Sequence, residues 1–436
     1  MSMKKNVLYL TWGEDLLTSG ILENQVINQL ITTRRVFPQV SYSFLCAMPV
    51  FWKKRHRAQA QILHEKIDRL EKAGIHVKVV YYWLPVRARY MAIVLHPLFI
   101  AAFFFWLKQI TNICRRQEIH LIHARAYTGA IVAAAAKKLL RLKVPLVFDT
   151  RGLYVDELLQ LGFLREGSWW HRQWKRAERT TYACSASIIT VSEPFSEYVR
   201  EHFSLPVDKV QTIFTSVDSD VFTPSVKIAN ARMRRLKIAA PVLAYCGDLG
   251  GSSWHSTASL FALFGQVRRK FRKASLLVIS PASRESIDRE VLTHFPDRRN
   301  ELMANCRFMR TYNARETAAA LSQADFGVFS YHDSANRGPR HLQEIVLGSK
   351  TGEYLAAGLP ILVNHTAKAA AAIVRDHRLG IAYNIGDVKS LHRQLGGLVK
   401  QWSAYSQRSR KYALNHFEAA SIARSHRLIY ERLSKP

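Results

Sequence analysis

Short apolar runs alternate with longer stretches of helical period along nearly the whole chain. In the first half the runs fall at 7–12, 40–48, 77–84, 121–124, 146–149, 188–191 and 210–214. Helical stretches lie between most of them, among them 22–31, 58–73 and 130–140. A second series follows at 242–246, 276–279, 307–309, 327–330, 361–363 and 381–383. Unbroken apolar runs suit strands covered on both faces, and their alternation with helices predicts parallel α/β architecture. Residues 223–230 (Thr-Pro-Ser-Val-Lys-Ile-Ala-Asn) interrupt the series with a polar, aperiodic stretch that reads as an interdomain linker. No repeat or low-complexity tract stands out.

Composition sharpens this picture. A chain of 436 residues exceeds one typical core, and 48% apolar residues make it globular. Its five cysteines, Cys46, Cys114, Cys184, Cys246 and Cys306, are odd in number and scattered. They indicate neither a disulfide framework nor a zinc site, and a reducing cytoplasm is the simplest expectation. The first apolar run is too short for a signal peptide, so the protein is not expected to be exported.

A formal net charge of +30 favours polyanionic partners: nucleic acid, an anionic membrane face or phosphorylated substrates. No nucleic-acid motif accompanies it. Basic residues crowd the first half at Lys53-Lys54-Arg55-His56-Arg57, Arg87, Arg89, Arg115-Arg116, Lys137-Lys138, Arg141 and Lys143. They form either an attraction to an anionic membrane or a solvated basic surface without a partner. Residues 91–107 carry no charge and are interrupted by His96-Pro97, with Tyr90 and Trp106 as flanking aromatics. Three readings compete there: a buried core helix, a helix lying in a membrane interface, and a span shorter than the usual ~20 residues.

Candidate chemistry clusters where strands end, because ligands of open α/β sheets bind beyond the strand carboxyl ends. The segment Lys350-Thr351-Gly352-Glu353-Tyr354-Leu355-Ala356-Ala357-Gly358-Leu359-Pro360 reads as a short helix capped by Gly358 before a buried strand. It sets a cation, a carboxylate and backbone N–H groups at a helix start, where anions bind. An ordinary αβ turn is the bland alternative. The first βα turn, 12–23, carries Ser19 and Gly20 just before a helix, and Gly20 permits close approach of a ligand. It lacks the GxGxxG dinucleotide fingerprint. The run 146–149 leads into Asp149-Thr150-Arg151-Gly152, with Asp156 and Glu157 beyond. Asp149 and Arg151 can orient a sugar and its phosphate; a structural pair of Arg151 with Asp149 or Glu157 is the alternative. His123 and Arg125 end the preceding strand and can line the same crevice.

Taken in order, these elements resemble a known family. The octet 353–360 (EYLAAGLP) is similar to the nucleotide-sugar signature of retaining glycosyltransferases of family 4, which have the GT-B fold. The glycine turn at 12–23, the stretch FDxRGxxxxE at 148–157, and the elements at 187–193 and 213–224 stand in the family's order and spacing. The FDxRG stretch resembles a bacterial subset that builds surface polysaccharides. The resemblance implies an α/β protein with two Rossmann-like domains facing a central cleft. Residues 1–222 would form the acceptor domain, 223–235 a linker and 236–411 the donor domain. A C-terminal helix, 412–436, with Ile422, Ile429 and Leu433 at helical spacing, would pack back on the first.

It also implies transfer of a sugar from a UDP- or GDP-sugar to an acceptor with retention, by front-face substitution, without a protein nucleophile. Glu353 would hold the donor ribose, and Lys350, Thr351 and Gly352 would lie at the donor site. Asp149 and Arg151, with Lys350, are the catalytic candidates. Ser19, Gly20, His123, Arg125 and Glu157 would line the acceptor side. No cofactor or metal is expected, since Asp218-Ser219-Asp220 belongs to the linker element. The sequence departs from the pattern in two places. Ile345 stands where the family often has a first glutamate, with Glu344 one position away. Gly247 to Trp254 replaces a basic pair, so Gly247 and Gly250 would offer N–H groups to the diphosphate and Arg337 and Arg340 the charge. A lipid-linked acceptor at the cytoplasmic membrane face follows from the charge and the 91–107 run. The competing classes are a GT-B UDP-sugar epimerase and a basic membrane-associated scaffold without catalysis.

Overall fold

A computed structural model describes residues 5–17, 22–82, 97–249, 255–331, 340–345 and 347–433. The chain divides into two compact units, Met1–Phe214 with Ala419–Pro436, and Thr215–Glu418.

The first unit runs β1 (Lys5–Trp12), a π-helical turn (Glu23–Ile27) continuing into α1 (Asn28–Val36), β2 (Val40–Pro49), α2 (Lys53–Ala58), α3 (Ala60–Lys72) and β3 (His76–Tyr82). It continues with α4 (Pro97–Arg116), β4 (Leu121–Arg125), α5 (Ala126–Leu139), β5 (Leu146–Asp149), α6 (Tyr154–Gln160), α7 (Trp169–Cys184), β6 (Ser187–Thr190), α8 (Glu193–Phe203) and β7 (Val210–Thr212). The second unit contains α9 (Val226–Lys237), β8 (Val242–Cys246), α10 (Thr257–Lys270), β9 (Ser275–Ile279), α11 (Arg284–His294), α12 (Arg299–Ala304), β10 (Cys306–Met309), α13 (Ala314–Leu321) and β11 (Phe326–Phe329). Then come α14 (Arg340–Ile345), α15 (Lys350–Ala356), β12 (Ile361–Asn364), α16 (Lys368–Asp376), β13 (Gly380–Tyr383), α17 (Val388–Lys400) and α18 (Trp402–His416). The last helix, α19 (Ala419–Leu433), belongs to the first unit.

Each predicted apolar run coincides with a strand, residues 83–84 of the third lying outside the described residues, and all pairings between these strands are parallel. The first sheet has the order β3-β2-β1-β4-β5-β6-β7 and the second β10-β9-β8-β11-β12-β13. The order reverses between β1 and β4 in the first and between β8 and β11 in the second. These are the switch points where crevices open beyond the strand ends. The runs are apolar because both faces are covered: Val7, Leu8 and Leu10 are fully buried, as are Leu276, Leu277 and Val278. In the first unit α19 closes the core, placing Ile422, Ala423, Ile429 and Tyr430 beside Tyr9, Tyr42 and Phe44.

Three expectations change. The stretch read as an irregular linker holds α9, started by Ser225, whose hydroxyl accepts from Ile228 N–H at 3.3 Å. Its periodicity is hard to see because one of its two buried positions is a charge, Arg232, donating to the Ala357 and Leu321 carbonyls. The predicted helix 58–73 forms as the single helix α3 from Ala60, with Gln59 separating it from a short helix, α2, that the sequence pattern did not show. Of the uncharged run at 91–107, residues 97–107 belong to α4, and residues 91–96 lie outside the described residues. Leu107, Ile110 and Cys114 of α4 are buried, whereas Phe105 is 53% exposed. Among the described residues no helix is long and apolar enough to cross a membrane.

Candidate functional site

The first unit's switch point gathers four of the residues singled out above. His123 and Arg125 end β4, and Asp149 ends the neighbouring β5 in register with Arg125. All three are buried. Within two residues of each strand end the backbone turns through a left-handed non-glycine residue, Ala126 at φ 58° and Arg151 at φ 59°. Such conformations cost roughly 1–3 kcal/mol and concentrate at functional sites. At Arg151 the turn folds the guanidinium back: Nε donates to Asp149 Oδ2 at 2.8 Å and Nη2 lies 2.6 Å from the same oxygen. Of the two structural pairs open to Arg151, the one with Asp149 forms. Burial raises the Asp149 pKa, but Arg151 and then His123 outweigh it and hold the carboxyl well below its ordinary range.

Arg125 reaches toward the first βα turn. Its Nε donates to both Glu14 oxygens, at 3.0 and 3.1 Å, and Nη2 to Gln25 Oε1 at 2.7 Å. Several buried atoms here find no hydrogen-bond partner among the described residues: Asp149 Oδ1, His123 Nε2, and Nη1 of both Arg125 and Arg151. An acceptor and three nitrogens left open in one place suit a polyhydroxylated or charged ligand, because unmet buried polar groups are costly. Ser19 and Gly20 lie outside the described residues. The turn just before them is tied down by Asp15, which accepts from Leu17 N–H at 2.9 Å, lies 2.7 Å from His56 Nε2 and pairs with Arg55.

Glu157 sits on α6, where a Cβ on Gly152 would meet its Oε1 at 2.4 Å. Glycine at 152 is what lets this carboxyl lie over the strand end. Burial, with Asp156 adding to it, pushes the Glu157 pKa up to about 7. The group therefore exchanges its proton near neutral pH, the condition for acid or base work. Sequence reasoning left out two contributors from α19, His426 and Tyr430, which enclose His123: Tyr430 Oη is 2.7 Å from His123 Nδ1.

At the second unit's switch point, α15 lies over the ends of β8 and β11. Tyr354 anchors it: Oη accepts from Cys246 N–H at 2.7 Å, and the ring rests on Gly327, where a Cβ would meet Cγ at 2.5 Å. Gly358 takes φ 67°, and the N–H groups of Gly358 and Leu359 return to Leu355 and Tyr354, the expected helix end. Glu353 is buried and accepts Lys350 Nζ on both oxygens, at 2.8 and 2.7 Å. Burial lowers the Lys350 pKa, but Glu353 outweighs it and the ammonium is held up to about 12. The Lys350 ammonium thus stays charged at any physiological pH.

Other donor-side candidates divide. Gly352 packs toward Phe417 and Val217, which a Cβ would meet at 3.0 and 3.3 Å, so close packing and not ligand approach explains that glycine. Thr351 is fully buried, and its hydroxyl finds no partner among the described residues. Gly247 follows β8, half-buried beside Tyr245. Gly250 and Arg337 lie outside the described residues, and so does the Arg340 side chain, although its backbone opens α14. Ile345 is buried in that helix, and Glu344 is engaged by Lys368 at 2.8 Å. Asp218 Oδ1 caps the N–H groups of Asp220 and Val221.

The Glycosyltransferase Family 4 model matches residues 59–221, and the Glucosyltransferase 3-like C-terminal domain model matches residues 282–408. No curated protein sequence matches. Among solved structures, a glycosyltransferase of Rickettsia africae superposes with a TM-score of 0.65 at 12% identity, covering 99% of each chain. Anabaena HepE in complex with UDP gives 0.62 at 14% identity, covering 99% of this chain and 100% of its own. WaaG, a glycosyltransferase involved in lipopolysaccharide biosynthesis, gives 0.59 at 13%, covering 98% and 99%. At such identities the structural likeness speaks for the fold, and the family models speak for the activity. The fold is thus that of the GT-B glycosyltransferases, and the chain is similar to family 4 over residues 59–221 and to the Glucosyltransferase 3-like C-terminal domain over residues 282–408.

Proposed function

We propose that the protein transfers a sugar from a nucleotide-sugar, UDP- or GDP-linked, to an acceptor hydroxyl with retention of configuration and without a metal. The observation that carries this reading is the buried Glu353 carboxylate with its Lys350 partner over the strand ends at the switch point of the second unit. A ribose diol can bond the carboxylate while the ammonium turns to the diphosphate. HepE, solved with UDP and with UDP-glucose, keeps company with this choice of donor. Asp149, Arg151, His123 and Glu157 would meet the sugar and the acceptor hydroxyl. The departing phosphate would take the acceptor proton, with Lys350 and Arg340 offsetting its charge.

Thermal shift across UDP-, GDP- and ADP-glucose tests the donor reading. One class should stabilise the wild type, with the shift lost in Glu353→Ala. A folded protein that responds to none of them would return the basic-scaffold reading. Donor epimerised in the absence of acceptor would instead identify a UDP-sugar epimerase.

The acceptor we propose is a lipid-linked saccharide in surface-polysaccharide synthesis, met at the inner face of a bacterial cell membrane by a peripherally bound enzyme. Lys53, Lys54, Arg55 and Arg57 are exposed on α2, and Phe105 is exposed on α4. Exposed lysines and arginines are worth about 1 kcal/mol each near an anionic surface. Binding to phosphatidylglycerol vesicles that moderate salt reverses is the expected result, and equal partition with neutral vesicles would remove the membrane from the account.

A further inference from the structure

We propose that α19 is a working part of the site in the first unit: Tyr430 and His426 are positioning residues that hold His123 in one neutral form, with Nε2–H turned toward Asp149. The role in catalysis rests on the function proposed above; the hydrogen-bond device itself does not.

The His123 ring is fully buried and held from three sides. Tyr9 of β1 lies against it at 4.7 Å between centroids, His426 meets it edge-on at 5.3 Å and 78°, and Tyr430 at 5.9 Å and 80°. Tyr430 Oη sits 2.7 Å from Nδ1. A tyrosine this deeply buried keeps its proton, and we assign that O–H as the donor and Nδ1 as the acceptor. Tyr42 of β2 donates to Tyr430 Oη at 3.4 Å, which orients that hydroxyl in turn. His123 itself is kept neutral, by burial first and by the nearby Arg151 and Arg125 guanidinium groups, against the opposing pull of Asp149. With Nδ1 accepting, the ring's one proton must reside on Nε2. That nitrogen faces Asp149 Oδ2 at 3.6 Å, too long for a hydrogen bond, and has no partner among the described residues. An oriented N–H is therefore left available to a ligand hydroxyl beside Asp149 Oδ1.

Other charged groups around the ring do not upset this arrangement. Glu14 is occupied by Arg125. Burial, with His123 beside it, pulls the His426 pKa down to about 3, so it adds no positive charge at working pH. His426 and Tyr430 are four residues apart on the face that also presents Ile422 and Ile429. Leucines there would close the core without leaving His426 Nε2 buried and unpartnered, as it is among the described residues. Polar groups at such positions fit a role in aiming His123 better than a role in packing.

The test uses full-length protein with 15N-labelled histidine, His123 being assigned by its loss in His123→Gln. At pH 7 the wild type should show Nδ1 unprotonated and Nε2 protonated. Tyr430→Phe removes one oxygen, and its His123 signals should move to the average of two tautomers. The same variant should release glucose from UDP-glucose with kcat about ten-fold lower and KM within about two-fold. Losing a hydrogen bond that stabilised the neutral ring raises the His123 pKa, so the acid limb of the pH profile should move up by about one unit. Unchanged nitrogen shifts and an unchanged acid limb in a folded Tyr430→Phe would overturn the proposal. Should that variant not fold, Tyr42→Phe must give a smaller change of the same sign, and no change there would overturn it equally. A wild type that shows the fixed tautomer yet neither binds nor hydrolyses any donor would defeat the donor reading instead, since the nitrogen shifts do not depend on it.

Discussion

The two switch points answer the same topological problem with opposite electrostatics. In the first unit, His123, Arg125, Asp149 and Arg151 crowd into a buried space and leave polar atoms open on each of them. In the second, Lys350 and Glu353 satisfy one another on a short helix, and the Lys350 side chain is partly exposed at 29%. A ligand entering the first space gains bonds that the folded chain lacks. A ligand entering the second must compete for a pair already made. The first site should therefore be felt in the stability and pH behaviour of the empty protein, and the second chiefly in what it binds.

Asp149→Ala is the strongest way to break this contrast. It leaves Arg151 and the β5 end without their buried anion and should destabilise the protein by about 3–5 kcal/mol in urea. Removing Glu353 should cost about 1 kcal/mol or less, because Lys350 can turn to water. Similar losses in the two variants would erase the distinction. Next in size is Gly327→Ala, which drives a methyl into the Tyr354 ring beneath α15. Overpacking of this kind costs about 1–3 kcal/mol, and because Tyr354 anchors the helix it should also weaken donor binding. A variant of unchanged stability would show that the helix is free to shift.

The smallest effect sharpens the comparison by pH. Glu157 in the folded protein has its pKa raised to about 7, above the unfolded value. Its protonated form is thus favoured by folding, a contribution fully present below the ordinary glutamate range and lost as pH rises through 7. After allowance for partial exposure the change is on the order of 1 kcal/mol. Glu157→Gln should flatten the stability profile between about pH 4.5 and 7, and an unaltered slope would place the effect elsewhere.

Much of this is legible in the sequence. Asp149 and His123 stood out because they end apolar runs, and a polar residue at a strand's carboxyl end faces the crevice. Gly358 declared a helix end because glycine there meets a left-handed backbone, which it adopts at φ 67°. The helix at 226–237 went unseen because Arg232 occupies a buried position that only distant carbonyls, at Leu321 and Ala357, make tolerable. Gly352, read as a ligand contact, turned out to make room for Phe417 and Val217, neighbours its own segment does not contain.

The sequence by itself determined the strands, the parallel architecture and the strand ends where chemistry gathers, since hydrophobic period and helix caps are written in residues a few positions apart. Only the tertiary structure decided which partners those ends acquire. It chose Asp149 over Glu157 for Arg151, closed Lys350 on Glu353, and brought Tyr430 across 307 positions to His123. Side-chain hydrogen bonds act over about 3 Å whatever the distance along the chain, so no local pattern encodes them; strand order and the docking of the last helix do.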